Sequence, residues 1–178
     1  EQVSKTLDVA IVSRRKNVLG AFAGAYAEQA AEWLFEALDV TEDRAIQTFQ
    51  IIAYELIQNL LRYNQRAVGQ FRVRLNGEQI LLESESVLEA QEKTRFEGLL
   101  KRLQNSDTES LWLMHLQRSR ASFCQRLPVS ELGLITLVKD YPVTLSWRFI
   151  PFDELYSVVL TLQYHYRLHL DYERDALC

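Results

Sequence analysis

Residues 54–63 read Tyr54-Glu55-Leu56-Ile57-Gln58-Asn59-Leu60-Leu61-Arg62-Tyr63, and the fold turns on how this stretch is placed. Its apolar members continue a stripe of Ala45, Phe49, Ile52, Leu56, Leu60 and Tyr63 at steps of three and four, the period of a helix with one buried face. Upstream, Thr41-Glu42-Asp43-Arg44 puts acids in a first turn, where they meet the positive end of the helix dipole. The spacing predicts a long helix over 42–67. A polar line runs beside the apolar one, since Glu55, Asn59, Arg62 and Arg66 are four, three and four residues apart. A carboxylate and an amide oxygen one turn apart can hold a hydrated Mg²⁺ and orient an attacking hydroxyl, as phosphoryl transfer requires. The same spacing also makes an ordinary solvated helix face with hydrogen bonds between successive turns.

Working outward, residues 18–23 read as a short strand closed by Gly24, and 25–38 as a helix carrying Glu28, Ala31, Leu34, Phe35 and Leu38. After Gly69 the period falls to two. Phe71, Val73 and Leu75 alternate with Arg72 and Arg74, and Asn76-Gly77 supplies a tight turn into Ile80 and Leu82, which predicts a hairpin. Residues 88–104 and 108–123 read as two polar helices, and 131–140 as a further short one ended by Tyr141-Pro142, because the residue before proline avoids the helical region. Alternation returns over 143–149 and 156–164, separated by the turn residues Pro151-Phe152-Asp153-Glu154. Residues 167–178 read as a polar tail. The expectation is one domain over 1–166 of α+β class, with helices on one face of a largely antiparallel sheet.

Composition removes several functional classes. At 178 residues and 48% hydrophobic, the chain can bury a core without disulfides or metals, so disorder is excluded. A formal net charge of -4 argues against a nucleic-acid binder that works through phosphate contacts. No apolar run approaches the roughly 20 residues of a membrane span. Only Cys124 and Cys178 are present, the usage of a reducing compartment, and a cytoplasmic location is expected.

The order strand, helix, long helix bearing Glu-x-x-x-Asn, hairpin, helical insertion, Leu-Gly-Leu-Ile helix and two closing strands resembles the ATP-binding (Bergerat) fold of histidine kinases, gyrase and Hsp90. Within it the chain resembles the SiaB family of bacterial protein kinases, which are related to anti-sigma-factor serine kinases. That family's helix motif Glu-x-x-Gln-Asn-x-x-x-Tyr is matched by Glu55, Gln58, Asn59 and Tyr63, and its later Gly-rich box by Ser130-Glu131-Leu132-Gly133-Leu134-Ile135. The resemblance spans roughly residues 8–164. It implies a two-layer sandwich, with ATP and Mg²⁺ as cofactors. Glu55 is then the catalytic general base and Asn59 the Mg²⁺ ligand, with Gln58, Asn59, Tyr63, Ser130, Leu132 and Gly133 around the nucleotide. It also implies phosphorylation of a serine or threonine on a small anti-sigma-antagonist-like partner, with an output such as cyclic-di-GMP synthesis, and pairing into a homodimer.

The chain departs from that pattern at its glycines. Leu82-Glu83-Ser84-Glu85-Ser86-Val87 stands where the family has its adenine-side glycine, and Pro128-Val129-Ser130-Glu131 stands where small residues would let the backbone approach a triphosphate. Two readings therefore stay open: a kinase-like module, and a degenerate, non-catalytic module of the same fold that acts by binding a partner protein. Lys101, Arg102, Arg118, Arg120 and Arg126 form a basic cluster around the helical insertion, with Trp112 either exposed on it or packed on the sheet. His115, His165 and His169 read as surface or capping residues and Cys124 as a buried thiol. No nucleophile-elbow or metal-ligand spacing supports a small-molecule hydrolase.

Overall fold

A computed structural model describes residues 5–12, 19–38, 43–66, 68–76, 79–105, 107–121 and 130–165. In chain order these form β1 (Lys5–Val12), α1 (Leu19–Leu38), α2 (Asp43–Tyr63), β2 (Val68–Asn76), β3 (Gln79–Leu88), α3 (Ala90–Asn105), α4 (Thr108–Ala121), α5 (Ser130–Asp140), β4 (Val143–Phe152) and β5 (Leu155–Tyr164). The Gly77 turn, Cys124, Arg126, His169 and the 167–178 tail lie outside the described residues.

The strands make one five-stranded sheet in the order β1-β2-β3-β5-β4, and every neighbouring pair is antiparallel. Period-two alternation sends Val9, Phe71, Ser84, Leu160 and Trp147 to one face, and the register aligns them in a single row. Rows of this kind meet the helices. Phe71, Val73, Leu75, Ile80, Leu82, Leu160, Leu162 and Tyr164 are buried against Phe49, Ile52, Leu56 and Leu60 of α2 and Leu134, Ile135 and Leu137 of α5. The opposite face carries the alternate residues. There Arg72 pairs with Asp8 and reaches Glu83 at 3.4 Å, and Arg74 reaches Glu83 at 2.9 Å.

α2 is the helix on which α1 and α5 pack. Asp43 sits in its first turn and Arg62 in its last, as the helix dipole favours. Its end is stitched to β3: Asn64 N donates to Leu60 O, Val87 N donates to Asn64 Oδ1 at 2.9 Å, and Gln65 N donates to Val87 O at 2.9 Å. Below that junction Gly69 of β2 lies under Leu60, close enough that an added methyl would come 2.6 Å from Leu60 Cδ1.

Two sequence expectations are corrected. Residues from Leu19 onward belong to helix α1 and not to a strand over 18–23, and the first strand is β1, whose Leu7, Val9 and Ile11 alternate toward the core. The reason is visible in α1: Ala23, Ala27, Ala30, Ala31 and Leu34 are all buried, so its packing stripe is made of small residues that let it lie close on α2. The stretch 82–87, which stands where the resembled family has its adenine-side glycine, lies within β3.

Candidate functional site

The two segments singled out by sequence converge in space. Glu55 leaves α2 toward α5, and its carboxylate lies directly over Gly133: a methyl added there would fall 2.1 Å from Glu55 Oε2 and 2.9 Å from Cδ. The missing side chain at Gly133 is what admits the carboxylate. Burial pushes the Glu55 pKa above its ordinary value of 4.5, and Arg62 opposes the shift through its charge. Tyr141, just past the end of α5, has its own pKa raised by burial first and then by the charges of Asp140 and Glu55. Nothing in the sequence marks Tyr141, because its relation to Glu55 is purely tertiary.

One turn along α2, Asn59 is only 4% exposed. Its Nδ2 donates to Glu55 O at 2.8 Å, which fixes the amide plane, and its Oδ1 is buried with no hydrogen-bond partner. A buried acceptor left unpaired costs about 1–3 kcal/mol unless a water or ligand meets it. It is an oxygen of the type that binds hard divalent cations. Among the described residues there is no cluster of three or more His, Cys, Asp or Glu side chains gathered around a metal. Any cation here would depend on Asn59 Oδ1 and Glu55, with water or a polyphosphate completing its shell; Mg²⁺ tolerates so few protein ligands.

The other expected site residues lie along α2 and at the start of α5. Gln58 is half-buried and its Nε2 donates to Tyr54 Oη at 2.5 Å. Tyr63 packs on Phe96 of α3 with ring centroids 6.0 Å apart, about 12 Å along the helix from Glu55 at 1.5 Å per residue. Ser130 begins α5, and Leu132 in its first turn is half-exposed. Tyr54 and Glu55 also line a groove of about 700 Å³ between α1 and α2, together with Gly24, Ala27, Gln47 and Ile51. Trp112 packs against the core with Lys139 Nζ 5.2 Å above its ring, and Lys101 is paired with Glu97 at 2.8 Å. Glu85, on β3, accepts a hydrogen bond from Ser157 Oγ at 2.9 Å.

The environment of Glu55 sets a pH dependence whose sign is fixed. A raised pKa means that the folded chain holds the Glu55 proton more tightly than the unfolded chain does. That contribution to stability is complete below pH 4.5 and is lost as pH rises through the raised folded value. Glu55→Gln is therefore expected to gain stability over the parent as pH goes from about 4 to about 8, read as the difference in urea midpoints. Gly133→Ala, whose methyl displaces only the flexible tip of Glu55, is expected to remove the same pH dependence. In a helix interior that change also gains up to about 1 kcal/mol from backbone propensity. A parent and a Glu55→Gln variant with parallel pH profiles would show that the carboxylate is not desolvated.

No protein-family model matches the chain. No curated protein matches it either. Among solved structures it is similar to a chain in the crystal structure of the SiaB-SiaC complex from Pseudomonas aeruginosa, with a TM-score of 0.57 and 12% sequence identity, over 87% of this chain and 89% of that one. At that identity the likeness is one of fold. Among the described residues no helix is long and apolar enough to cross a membrane.

Proposed function

We propose that this protein is a signalling module of the SiaB kind, in which α2 and α5 hold Mg-ATP and direct its γ-phosphate to a serine or threonine of a small anti-sigma-antagonist-like partner. The observation that carries this reading is the buried, unpartnered Oδ1 of Asn59, one turn from a desolvated carboxylate that faces a glycine. Asn59 would hold Mg²⁺ through Oδ1, its amide already oriented by the bond to Glu55 O. Bound there, Mg²⁺ would supply charge neutralisation for the phosphates. Glu55 would accept the proton of the partner's hydroxyl as that oxygen bonds to the γ-phosphorus and ADP leaves with the bridging oxygen. Its raised proton affinity suits it to that task. The partner's phosphorylation state would then govern a downstream output such as cyclic-di-GMP synthesis.

A second reading has its own observation. The Glu55 carboxylate fills the space over Gly133 where a phosphate would approach. In that reading the fold keeps its partner-binding role and turns over no nucleotide.

Thermal unfolding with and without Mg-ATP separates them, because a ligand that binds only the folded chain stabilises it by about 2.7 kcal/mol at a hundred times its dissociation constant. A raised midpoint in the parent, absent in Asn59→Ala, is the expected result. Asn59→Ala itself should shift stability by about 1 kcal/mol or less, since it removes one hydrogen bond together with an unsatisfied oxygen. No rise in the parent at millimolar Mg-ATP would overturn the nucleotide site and leave the partner-binding module.

A further inference from the structure

β4 is an edge strand of ten residues whose pairing with β5 runs without a bulge from Val143↔Tyr164 to Phe152↔Leu155. The hairpin closes through Asp153, at a φ of 52°, and Glu154. In an antiparallel pair, residues that exchange both hydrogen bonds with the partner alternate with residues that exchange none. Counted from the closing pair, Phe152, Ile150, Arg148, Ser146 and Thr144 bond to β5. The N–H and C=O groups of Leu145, Trp147 and Phe149 then point away from the sheet. Val143, next in that series, agrees: its N–H turns aside and donates to Tyr141 O at 2.8 Å. Among the described residues nothing pairs with the other three.

Edge strands in natural proteins are blunted by bulges, inward charges or covering elements. Among the described residues no bulge, inward charge or covering element protects residues 143–150 of β4, and Arg148 is their one charged side chain. Its side chains on the helix-covered face, Leu145, Trp147 and Phe149, are only half-buried. Beside them opens a groove of about 200 Å³, mostly apolar, lined by Leu103 and Gln104 of α3, Val138 of α5, and Val143, Thr144, Leu145 and Trp147 of β4. On the other face Arg148 is exposed and has no carboxylate partner among the described residues, whereas Arg72 and Arg74 on the same face are paired. A row of unpaired backbone groups, an apolar recess at alternate positions and an uncompensated cation are together the recognition elements of strand addition.

We propose that β4 is a docking edge for an extended segment of a partner protein, with apolar side chains at alternate positions toward the α3–α5 recess and an acidic residue opposite Arg148. No residue of α2 takes part, so this surface stands whether or not the chain binds nucleotide.

The probes are a capped heptapeptide alternating Val with Glu, and its counterpart with Lys in place of Glu. The Glu peptide is expected to bind about five-fold or more tightly than the Lys peptide, and Arg148→Glu to reverse that order, since opposite charges across a strand pair attract and like charges repel. Arg148 is exposed, so the variant should fold as the parent does. In amide hydrogen exchange the N–H groups of Leu145, Trp147 and Phe149 should exchange freely in the chain alone and become protected with the Glu peptide, while those of Ser146 and Arg148 do not change. Failure of the Glu peptide to bind at millimolar concentration, or binding of the two peptides without a sign preference, would overturn the proposal. So would protection of the three amides before any peptide is added; sedimentation velocity would then show whether a second copy of the chain already covers the edge.

Discussion

Phe49→Ala is expected to cost about 3–5 kcal/mol of folding stability, the range for emptying a fully enclosed aromatic site. Phe49 is completely buried on α2, and its ring meets Phe35 of α1 edge-on, with centroids 5.8 Å apart at 83°. That geometry adds an attractive aromatic contact to the loss of buried area. The residue also stands where α1, α2 and the sheet share one core, so no single element can close the void by shifting alone. Against a typical total of about 5–15 kcal/mol, the loss would leave a chain near the edge of folding. Urea unfolding should show a lower midpoint with an unchanged slope. Ile51→Ala, two residues along the same helix but exposed, is the control and should move stability by about 0.5 kcal/mol or less. A cost below about 1 kcal/mol for Phe49→Ala would mean that the core relaxes around the site far more than close packing allows.

Gly69→Ala is expected to cost about 1–3 kcal/mol by the opposite route, overfilling a place that has no room. The new methyl would lie 2.6 Å from Leu60 Cδ1, 2.9 Å from Cγ and 3.1 Å from Cδ2. Leu60 is buried and its Cγ is the branch point, not a tip, so relief requires a strained rotamer or a lift of α2 from β2. In a strand alanine is the better residue on backbone grounds, so a loss can only come from that contact. The pair supplies its own check. Leu60→Ala should be costly alone, yet Gly69→Ala should cost little in that background, a non-additivity measured by a double-mutant cycle. Additive losses would place the effect of Gly69 somewhere other than under Leu60.

What could be read in the sequence follows from how strongly each element declares its period. α2 was legible because large apolar residues mark its buried stripe and Glu55 and Asn59 share its polar line. The β2–β3 and β4–β5 hairpins were legible through alternation bounded by turn residues. α1 was misread at its start because its buried stripe is alanine, which hardly registers as hydrophobic while permitting close helix packing. β1 was missed although Leu7, Val9 and Ile11 alternate, since a single short edge strand carries little signal alone. The SiaB resemblance put Glu55 and Gly133 around one nucleotide, but that the Glu55 carboxylate lies over Gly133 is a tertiary fact with no signal in the sequence. Tyr63, at the last position of the motif, packs on Phe96 of α3, a contact between helices that the motif itself does not announce.

The strand order β1-β2-β3-β5-β4 also has a history in time. β3 gains one neighbour at once, through the hairpin with β2, but its other neighbour is β5, and residues 89–154 must be synthesised before that strand exists. During that interval an interior strand of the finished sheet is an open edge, and an apolar one would invite pairing with other nascent chains. β3 carries Glu83-Ser84-Glu85-Ser86 there, charged and polar residues that resist such pairing. In the finished fold each finds a place: Glu83 between two arginines, Glu85 on Ser157, and both serines buried on the helix-covered face. A polar run at the centre of a sheet thus suits a strand that waits for its partner.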